Sequence, residues 1–174
     1  NLRVDVSKYR ELASNLPADV IKVAESGVFG AVEVEDYGRA GADAVLVVTP
    51  YYNKATQKGL IAHFTAIADA STVPVILYNV PGRTGCNLLP RTAAELAKHP
   101  NIVGIKEASG DMGYAMKVAR FVGPDFAMYS GNDDITLPIL AAGGSGVISV
   151  YANVMPKMCH EIVMDYLNGN QAQA

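Results

Sequence analysis

The chain has 174 residues, half of them apolar, a formal net charge of −3 and an isoelectric point near 5.6. That is enough material for one compact core, and the singly scattered lysines and arginines exclude an extended basic surface for nucleic acid or an anionic membrane. The widely separated Cys86 and Cys159, the lack of any apolar run of about 18 residues and a start without a signal peptide's apolar centre predict a cytoplasmic location.

Six short runs rich in valine and isoleucine predict β-strands. They are nearly continuous in apolar residues, which is typical of parallel strands covered on both faces. The predicted strands are 20–26, 43–49, 73–80, 101–106, 126–131 and 146–150.

Helical patterns fill the gaps between these strands. Pro90 and Pro156 mark helix starts, and Gly143 and Asn168 mark helix ends. The predicted helices are 4–14, 31–40, 57–71, 91–99, 111–122, 133–142 and 156–168. The alternation of strand and helix predicts an α/β fold.

Such a repeat builds either a doubly wound sheet or a (β/α)8 barrel. A dinucleotide-binding sheet would carry GxGxxG directly after its first strand, whereas GGSG at 143–146 precedes a strand. Polar residues instead end several strands, as a barrel active site requires. These residues are Glu25, Thr49, Tyr78, Lys106, Ser130 and Ser149. The pattern favours a TIM (β/α)8-type barrel, incomplete because it supplies about six units where a barrel has eight.

Lys106 ends the apolar run NIVGIK and is the first candidate for chemistry. The two-residue period of a strand predicts that Ile102, Gly104 and Lys106 point to one side, the barrel interior. Burial disfavours the charged amine, and a neutral amine is a nucleophile that forms a Schiff base with a carbonyl. The alternative is a lysine whose stem lies on apolar surface while its head reaches water, and the strand alone does not decide between them.

Tyr78 and Arg83 lie in the segment VILYNVPGRTG. The parity of Tyr78 with Ile76 aims it at the same interior as Lys106, where a phenol could relay protons, although a lone tyrosine is more often a half-buried aromatic. Arg83 follows a Pro-Gly turn and could hold a substrate carboxylate bidentately, although a single loop arginine is more often solvated.

Tyr51 and Tyr52 stand side by side in TPYYNKATQ. In an extended segment their side chains point opposite ways, so one could face the site and the other a partner subunit. The histidines lack ligand partners at metal-binding spacing, and the paired Asp133 and Asp134 fit a helix start better than a metal site. Neither a metal nor a cofactor is expected.

Five segments occur together in the order and spacing of one family: VVTPYYNKATQKGL, VILYNVPGRTGCNLLP, NIVGIKEASGD, YSGNDD and GGSGVISVYANV. From about residue 40 onward the chain resembles dihydrodipicolinate synthase (4-hydroxy-tetrahydrodipicolinate synthase), a class I pyruvate-dependent aldolase. The resemblance implies a lyase that condenses pyruvate with aspartate 4-semialdehyde in lysine and diaminopimelate biosynthesis.

The same resemblance implies a role for each matching residue. Lys106 would form the imine with pyruvate, Tyr78 and Tyr52 would belong to the proton relay, and Tyr52 would reach into a neighbouring subunit. Tyr51 would lie at the subunit contact near the lysine feedback site. The remaining matches are implied substrate-binding residues, namely Arg83, Gly131, Ile148 and Thr49. Arg83 favours this family over its sialic-acid lyase relatives, and a homo-oligomer is expected.

Residues 1–46 resemble a different barrel enzyme, indole-3-glycerol phosphate synthase, through VAESGV with its Glu25 and Ser26. The chain therefore reads as one partial barrel domain, 1–174, with a segment of that type at 1–46 and a dihydrodipicolinate synthase-like segment at 47–174. The threonine-bearing segment that completes the dihydrodipicolinate synthase proton relay has no counterpart in the sequence. Two alternatives stay open: a non-catalytic incomplete barrel or chimera, and a fragment of indole-3-glycerol phosphate synthase.

Overall fold

A single parallel sheet organises the part of the chain that the computed structural model describes, which is residues 23–26 and 37–174. Within those residues the sheet has six strands, and their order in space follows their order in the chain. The strands are β1 (Val23–Ser26), β2 (Ala44–Val48), β3 (Val75–Asn79), β4 (Ile102–Glu107), β5 (Ala127–Ser130) and β6 (Gly146–Val147). Sequential parallel strands with helical crossovers are the arrangement of a (β/α)8-type barrel.

Four of the six α-helices in the described part of the chain begin at a side-chain cap or a proline. Thr56 caps the first helix by accepting a hydrogen bond from the amide of Gly59 (3.2 Å), and a proline opens three others. The helices are α1 (Gln57–Ala70), α2 (Pro81–Thr84), α3 (Pro90–Leu96), α4 (Met112–Val118), α5 (Thr136–Ala141) and α6 (Pro156–Leu167). Short 3-10 turns occupy Ala119–Phe121, Asp133–Ile135 and Tyr151–Asn153.

Side chains alternate between two faces of the sheet, as the pleat requires. One face packs against the helices and forms the larger core, in which Val47, Leu77 and Ile105 meet Phe64 of α1. The opposite face carries the barrel interior, an inner cluster of Ala44, Leu46 and Ile76 joined by half-buried residues. Those residues are Tyr78, Val103, Tyr129 and Ile148. The chain thus folds as an incomplete barrel with an outer helical layer.

A register shift in β4 corrects one prediction. Val75 pairs with Ile102 but Ile76 pairs with Gly104, so Val103 is an extra residue. Ile102 consequently packs into the helix-side core, and the prediction that it shares a side with Lys106 is wrong. Beyond the bulge the parity holds, because Lys106 pairs with the inward-facing Tyr78.

The predicted elements otherwise recur with shifted ends. Each of the six predicted strands has its counterpart, although β6 is only Gly146–Val147. The patterns 111–122 and 133–142 each include a 3-10 turn beside the α-helix. The predicted helix 4–14 and most of 31–40 lie outside the described residues. No helix in the described part of the chain is long and apolar enough to cross a membrane.

Candidate active site

Lys106 and Tyr78 form the centre of the site. They are cross-strand neighbours at the carboxyl ends of β4 and β3, and the Nζ atom of Lys106 lies 4.2 Å from the centroid of the Tyr78 ring. Lys106 is buried, with 7 % of its surface exposed. The amine is thus sheltered against an aromatic face inside the barrel, and the snorkelling alternative for this lysine is wrong.

Gly131 lies directly beside the lysine stem. A Cβ atom at this position would stand 3.2 Å from Cε of Lys106 and 2.5 Å from Cβ of Ala108. Any side chain here would therefore occupy the space next to the amine. The absence of a Cβ keeps open the approach to Lys106 from the end of β5.

Ile148 and Thr49 are the next two candidate site residues. Ile148 packs against the inner cluster just beyond β6, and its amide donates to the carbonyl of Ser130 (2.8 Å). Thr49 follows β2, is fully buried and donates its amide to the carbonyl of Tyr78 (3.2 Å). Within the described residues its hydroxyl has no hydrogen-bond partner.

Arg83, Tyr51 and Tyr52 lie on the exposed surface. Arg83 belongs to the short helix α2 that follows β3. Tyr51 is 48 % exposed and Tyr52 96 % exposed, and Tyr52 has a φ of 56°. The left-handed region is uncommon for a side chain of this size.

Tyr129 is an inner-face residue that the sequence reasoning missed. It pairs with Lys106 on the side opposite Tyr78, so the lysine stands between tyrosines of two neighbouring strands. Extending the parity argument to β5 would have found it, because Met128 belongs to the helix-side core and Tyr129 to the inner cluster.

A buried polar network lies behind this pair, on the helix side of the sheet. Asn79 and Glu107 are the residues that follow Tyr78 and Lys106, and they are cross-strand partners in turn. Asn79 Nδ2 donates to Glu107 Oε2 (3.0 Å) and to Asn87 Oδ1 (3.1 Å), and Asn79 Oδ1 accepts from the amide of Leu88 (3.0 Å). The amide of Ser109 donates to Glu107 Oε1 (2.6 Å).

Burial dominates the protonation of this network. Desolvation raises the pKa of Glu107, and the hydrogen bonds from Ser109 and Asn79 oppose that rise only in part. Burial, and to a smaller extent the nearby Glu107, raises the pKa of Tyr114 far above its usual range. Tyr114 is therefore a neutral phenol, and it donates to the carbonyl of Leu88 (2.5 Å).

Among the residues that the structure describes, no cluster of three or more histidine, cysteine, aspartate or glutamate side chains could hold a metal ion. The chemistry of the described site is that of an amine, phenols and main-chain groups.

The model of the dihydrodipicolinate synthetase family matches residues 25–174. The chain belongs to this family. The match starts further toward the N-terminus than the sequence resemblance, which begins near residue 40, and it includes Glu25 and Ser26. The resemblance of residues 1–46 to indole-3-glycerol phosphate synthase stays a prediction.

Curated relatives share more than half of the aligned residues with the chain. The 4-hydroxy-tetrahydrodipicolinate synthase of Thermoanaerobacter sp. (strain X514) is 56% identical over 146 residues, which are 83% of this chain and 49% of the relative. That of Alkaliphilus oremlandii is 57% identical over 134 residues, 77% of this chain and 46% of the relative. The chain thus spans about half the length of the curated family members it matches.

Solved structures of family members superpose on the whole described barrel. The dihydrodipicolinate synthase of Bacillus anthracis has a TM-score of 0.89 at 35% identity, covering 97% of this chain and 59% of that one. The Thermotoga maritima enzyme has a TM-score of 0.88 at 40% identity, covering 96% and 61%. The fold of an incomplete TIM-type barrel is confirmed.

Proposed function

We propose that this chain carries the pyruvate-binding centre of a 4-hydroxy-tetrahydrodipicolinate synthase, a lyase that joins pyruvate to aspartate 4-semialdehyde through a Schiff base on Lys106. The observation that carries the proposal is the burial of Lys106 against the Tyr78 ring, with Nζ 4.2 Å from the ring centroid. The family match over residues 25–174 supports the choice of reaction.

The chemistry begins with the amine. Nζ of Lys106 attacks the ketone carbon of pyruvate, a C–N bond forms and water leaves, which gives a protonated imine. The imine draws electrons from the neighbouring methyl carbon, and loss of a proton from that carbon produces an enamine. The enamine carbon then adds to the aldehyde carbon of the second substrate, and the aldehyde oxygen takes up a proton. The amino group of that substrate would attack the re-formed imine carbon, the bond from this carbon to Nζ would break, and the cyclic product and the free amine of Lys106 would be released. Tyr78, whose ring lies beside the amine, would carry protons to and from these intermediates.

Three further residues, Gly131, Ile148 and Thr49, are proposed to form the pyruvate pocket. Gly131 leaves room for pyruvate beside the lysine stem, and Ile148 forms an apolar wall of the pocket. The family resemblance assigns Thr49 to substrate binding, and among the described residues its hydroxyl is fully buried and without a hydrogen-bond partner. A buried polar atom without a partner costs free energy, so a ligand or a further residue that satisfies it is favoured.

The exposed residues would act on the second substrate and between subunits. Arg83 would bind the carboxylate of the aldehyde, since a guanidinium matches a carboxylate bidentately. Tyr52, almost fully exposed, would be covered by a neighbouring subunit and complete that subunit's proton relay, with Tyr51 at the contact. A homo-oligomer and a cytoplasmic location belong to the same proposal, and the free thiols of Cys86 and Cys159 agree with a reducing compartment.

Reductive trapping tests the proposal. The folded protein is incubated with pyruvate and reduced with borohydride, and the intact mass and peptide masses are recorded. We expect one pyruvate-derived adduct on the peptide that contains Lys106. Lys106→Ala should lose it, and Lys117→Ala, which removes an exposed lysine, should keep it. A folded sample without adduct, or with an adduct on other lysines only, contradicts the proposal.

The second candidate is a chain that binds pyruvate without completing the condensation. It is favoured by the coverage of only about half of the curated relatives and by the six strands of the described sheet. Once trapping has been demonstrated, a separate sample of unreduced protein is given pyruvate and aspartate 4-semialdehyde together. This assay separates the two candidate functions. Formation of the cyclic product supports the full reaction, and adduct without product supports the second candidate.

A further inference from the structure

The buried pair Asn79 and Glu107 occupies the reverse side of the two strand ends that carry Tyr78 and Lys106. Successive residues of a strand point to opposite faces. Tyr78 and Lys106, the inner pair, are therefore each followed in sequence by a member of the outer pair, Asn79 and Glu107. Both outer residues are almost completely buried, at 0% and 1% exposure. A shift of Asn79 or Glu107 would therefore move the adjacent main chain that carries Tyr78 and Lys106.

Burying a carboxyl group here is costly. Glu107 has no basic partner among the described residues, and its side chain is satisfied by amide donors from Asn79 and Ser109 together with the Ser109 hydroxyl. An ionisable group without a counter-charge in a dry interior weakens the fold unless another requirement retains it. Each of its two oxygens accepts a hydrogen bond, whereas an amide side chain has only one oxygen acceptor.

The network converges on the elements around the lysine. Asn79 accepts from the amide of Leu88 and so fixes the segment after α2. Its carbonyl also accepts from the amide of Ala108 (2.9 Å), while the carbonyl of Glu107 accepts from the amide of Gly131 (2.7 Å). The ends of β3, β4 and β5 are therefore held together within two residues of Lys106.

We infer that Glu107, through its hydrogen bonds to Asn79 and Ser109, is a positioning residue that fixes the main chain of Lys106 and thereby holds the amine against the Tyr78 ring. The inference rests on the proposed function for the role of Lys106. A displacement of about 1 Å at a reacting group costs up to roughly 100-fold in rate. Breaking the hydrogen bonds of Glu107 should therefore slow imine formation, although Glu107 is not proposed to contact pyruvate.

The test replaces an acceptor oxygen of Glu107 by a donor, and a second substitution at Asn79 then exchanges donor and acceptor between the two residues. In Glu107→Gln a single oxygen faces two donors, so either the Asn79 or the Ser109 bond is lost. In the double variant Asn79→Asp/Glu107→Gln the new amide donates to the new carboxylate, and the remaining oxygens still accept from Ser109 and Leu88. Asn87, whose Oδ1 accepts from Asn79 in the wild type, would turn its amide so that Nδ2 donates to the new carboxylate. We expect the rate of borohydride-trappable imine at saturating pyruvate to fall about 10- to 100-fold in the single variant and to recover in the double variant.

A spectroscopic readout keeps the positioning claim separate from catalysis. Lys106 is reductively methylated with ¹³C-formaldehyde, and the shift of its methyl groups reports the ring current of Tyr78. Tyr78→Leu gives the value without the ring. Glu107→Gln should move the wild-type shift toward that value, and the double variant should restore it.

Asn101 provides the matched structural control. Just before β4, at its opposite end, Asn101 Nδ2 donates to the carbonyls of Ala68, Ser71 and Val73 at 2.9 to 3.3 Å. Asn101→Ala should lower the unfolding midpoint yet leave the methyl shift and the trapping rate unchanged. A Glu107→Gln variant with the wild-type methyl shift overturns the inference. If the wild type itself gives no pyruvate adduct, the proposed function fails, while the methyl shift still decides the positioning role.

Discussion

Lys106 and Tyr78 are paired directly across β4 and β3, with the lysine Nζ 4.2 Å from the centre of the tyrosine ring. The pairing has two consequences. The aromatic ring covers the buried amine. The phenol oxygen belongs to the same side chain, so under the proposed function a proton carrier would lie next to the nucleophile.

Tyr78→Phe separates these two contributions. The phenylalanine ring still covers the amine, so the pyruvate adduct on Lys106 should form and be trapped by borohydride. Loss of the phenol should lower turnover about 10²- to 10⁴-fold, the usual contribution of a general acid or base. Tyr78→Leu, which removes the ring as well, should impair trapping too. Turnover of Tyr78→Phe at the wild-type level would show that another group carries the proton.

Gly131→Ala should block the site sterically. The added Cβ would meet Cβ of Ala108 at 2.5 Å and Cε of Lys106 at 3.2 Å, and overpacking of this kind costs about 1–3 kcal/mol. We expect a lower unfolding free energy in urea together with weaker pyruvate binding by calorimetry.

Gly123→Ala is the matched control, because a Cβ there meets nothing within 4 Å. It should leave both the unfolding free energy and pyruvate binding at wild-type values. Equal behaviour of the two glycine variants would contradict the role assigned to Gly131.

Strand parity placed the Lys106 and Tyr78 pair correctly from sequence, because both residues lie beyond any irregularity of their strands. It misplaced Ile102, since the bulge at Val103 depends on how β3 and β4 pair and leaves no local sequence signal. Glu107 was overlooked for a related reason: its partner Asn79 is 28 residues away, and a network of that span exists only after the strands are aligned. The boundary between the segments 1–46 and 47–174, which resemble two different barrel enzymes, stays a prediction.

The raised pKa of Glu107 predicts a pH dependence of stability. The folded state holds this proton more tightly than the unfolded chain, because burial raises the pKa above the ordinary 4.5. The contribution to stability is therefore complete below about pH 4.5 and is lost as pH rises through the folded-state pKa. The charged or titratable groups near it are Asp111, which adds to the rise, and the neutral Tyr114.

Urea unfolding of wild type and Glu107→Gln between pH 4 and 8 measures this directly. The difference in unfolding free energy, wild type minus variant, should fall with increasing pH and then become constant, because glutamine does not titrate. A difference that stays constant from pH 4 upward, or grows, would contradict a raised pKa.

Tyr52 offers a test of assembly as well as of chemistry. If its phenol completes the site of a neighbouring subunit, Lys106→Ala and Tyr52→Phe are defects in different halves of a shared site. Mixing the two inactive variants, with unfolding and refolding to exchange subunits, should then regenerate sites that combine an intact lysine with an intact tyrosine. For random two-fold pairing, about one quarter of the wild-type sites should return.

The control mixture combines Lys106→Ala with Tyr78→Phe. Both residues belong to one chain's site, where they are in contact, so exchange of subunits cannot bring an intact pair together and no activity should return. Recovery only in the Tyr52 mixture therefore requires that the tyrosine act across an interface, which also explains why 96 % of its surface is exposed in the single chain. No recovery in either mixture would mean that Tyr52 acts within its own subunit, and a Tyr52→Phe variant that is active before mixing would mean that the phenol plays no part in turnover.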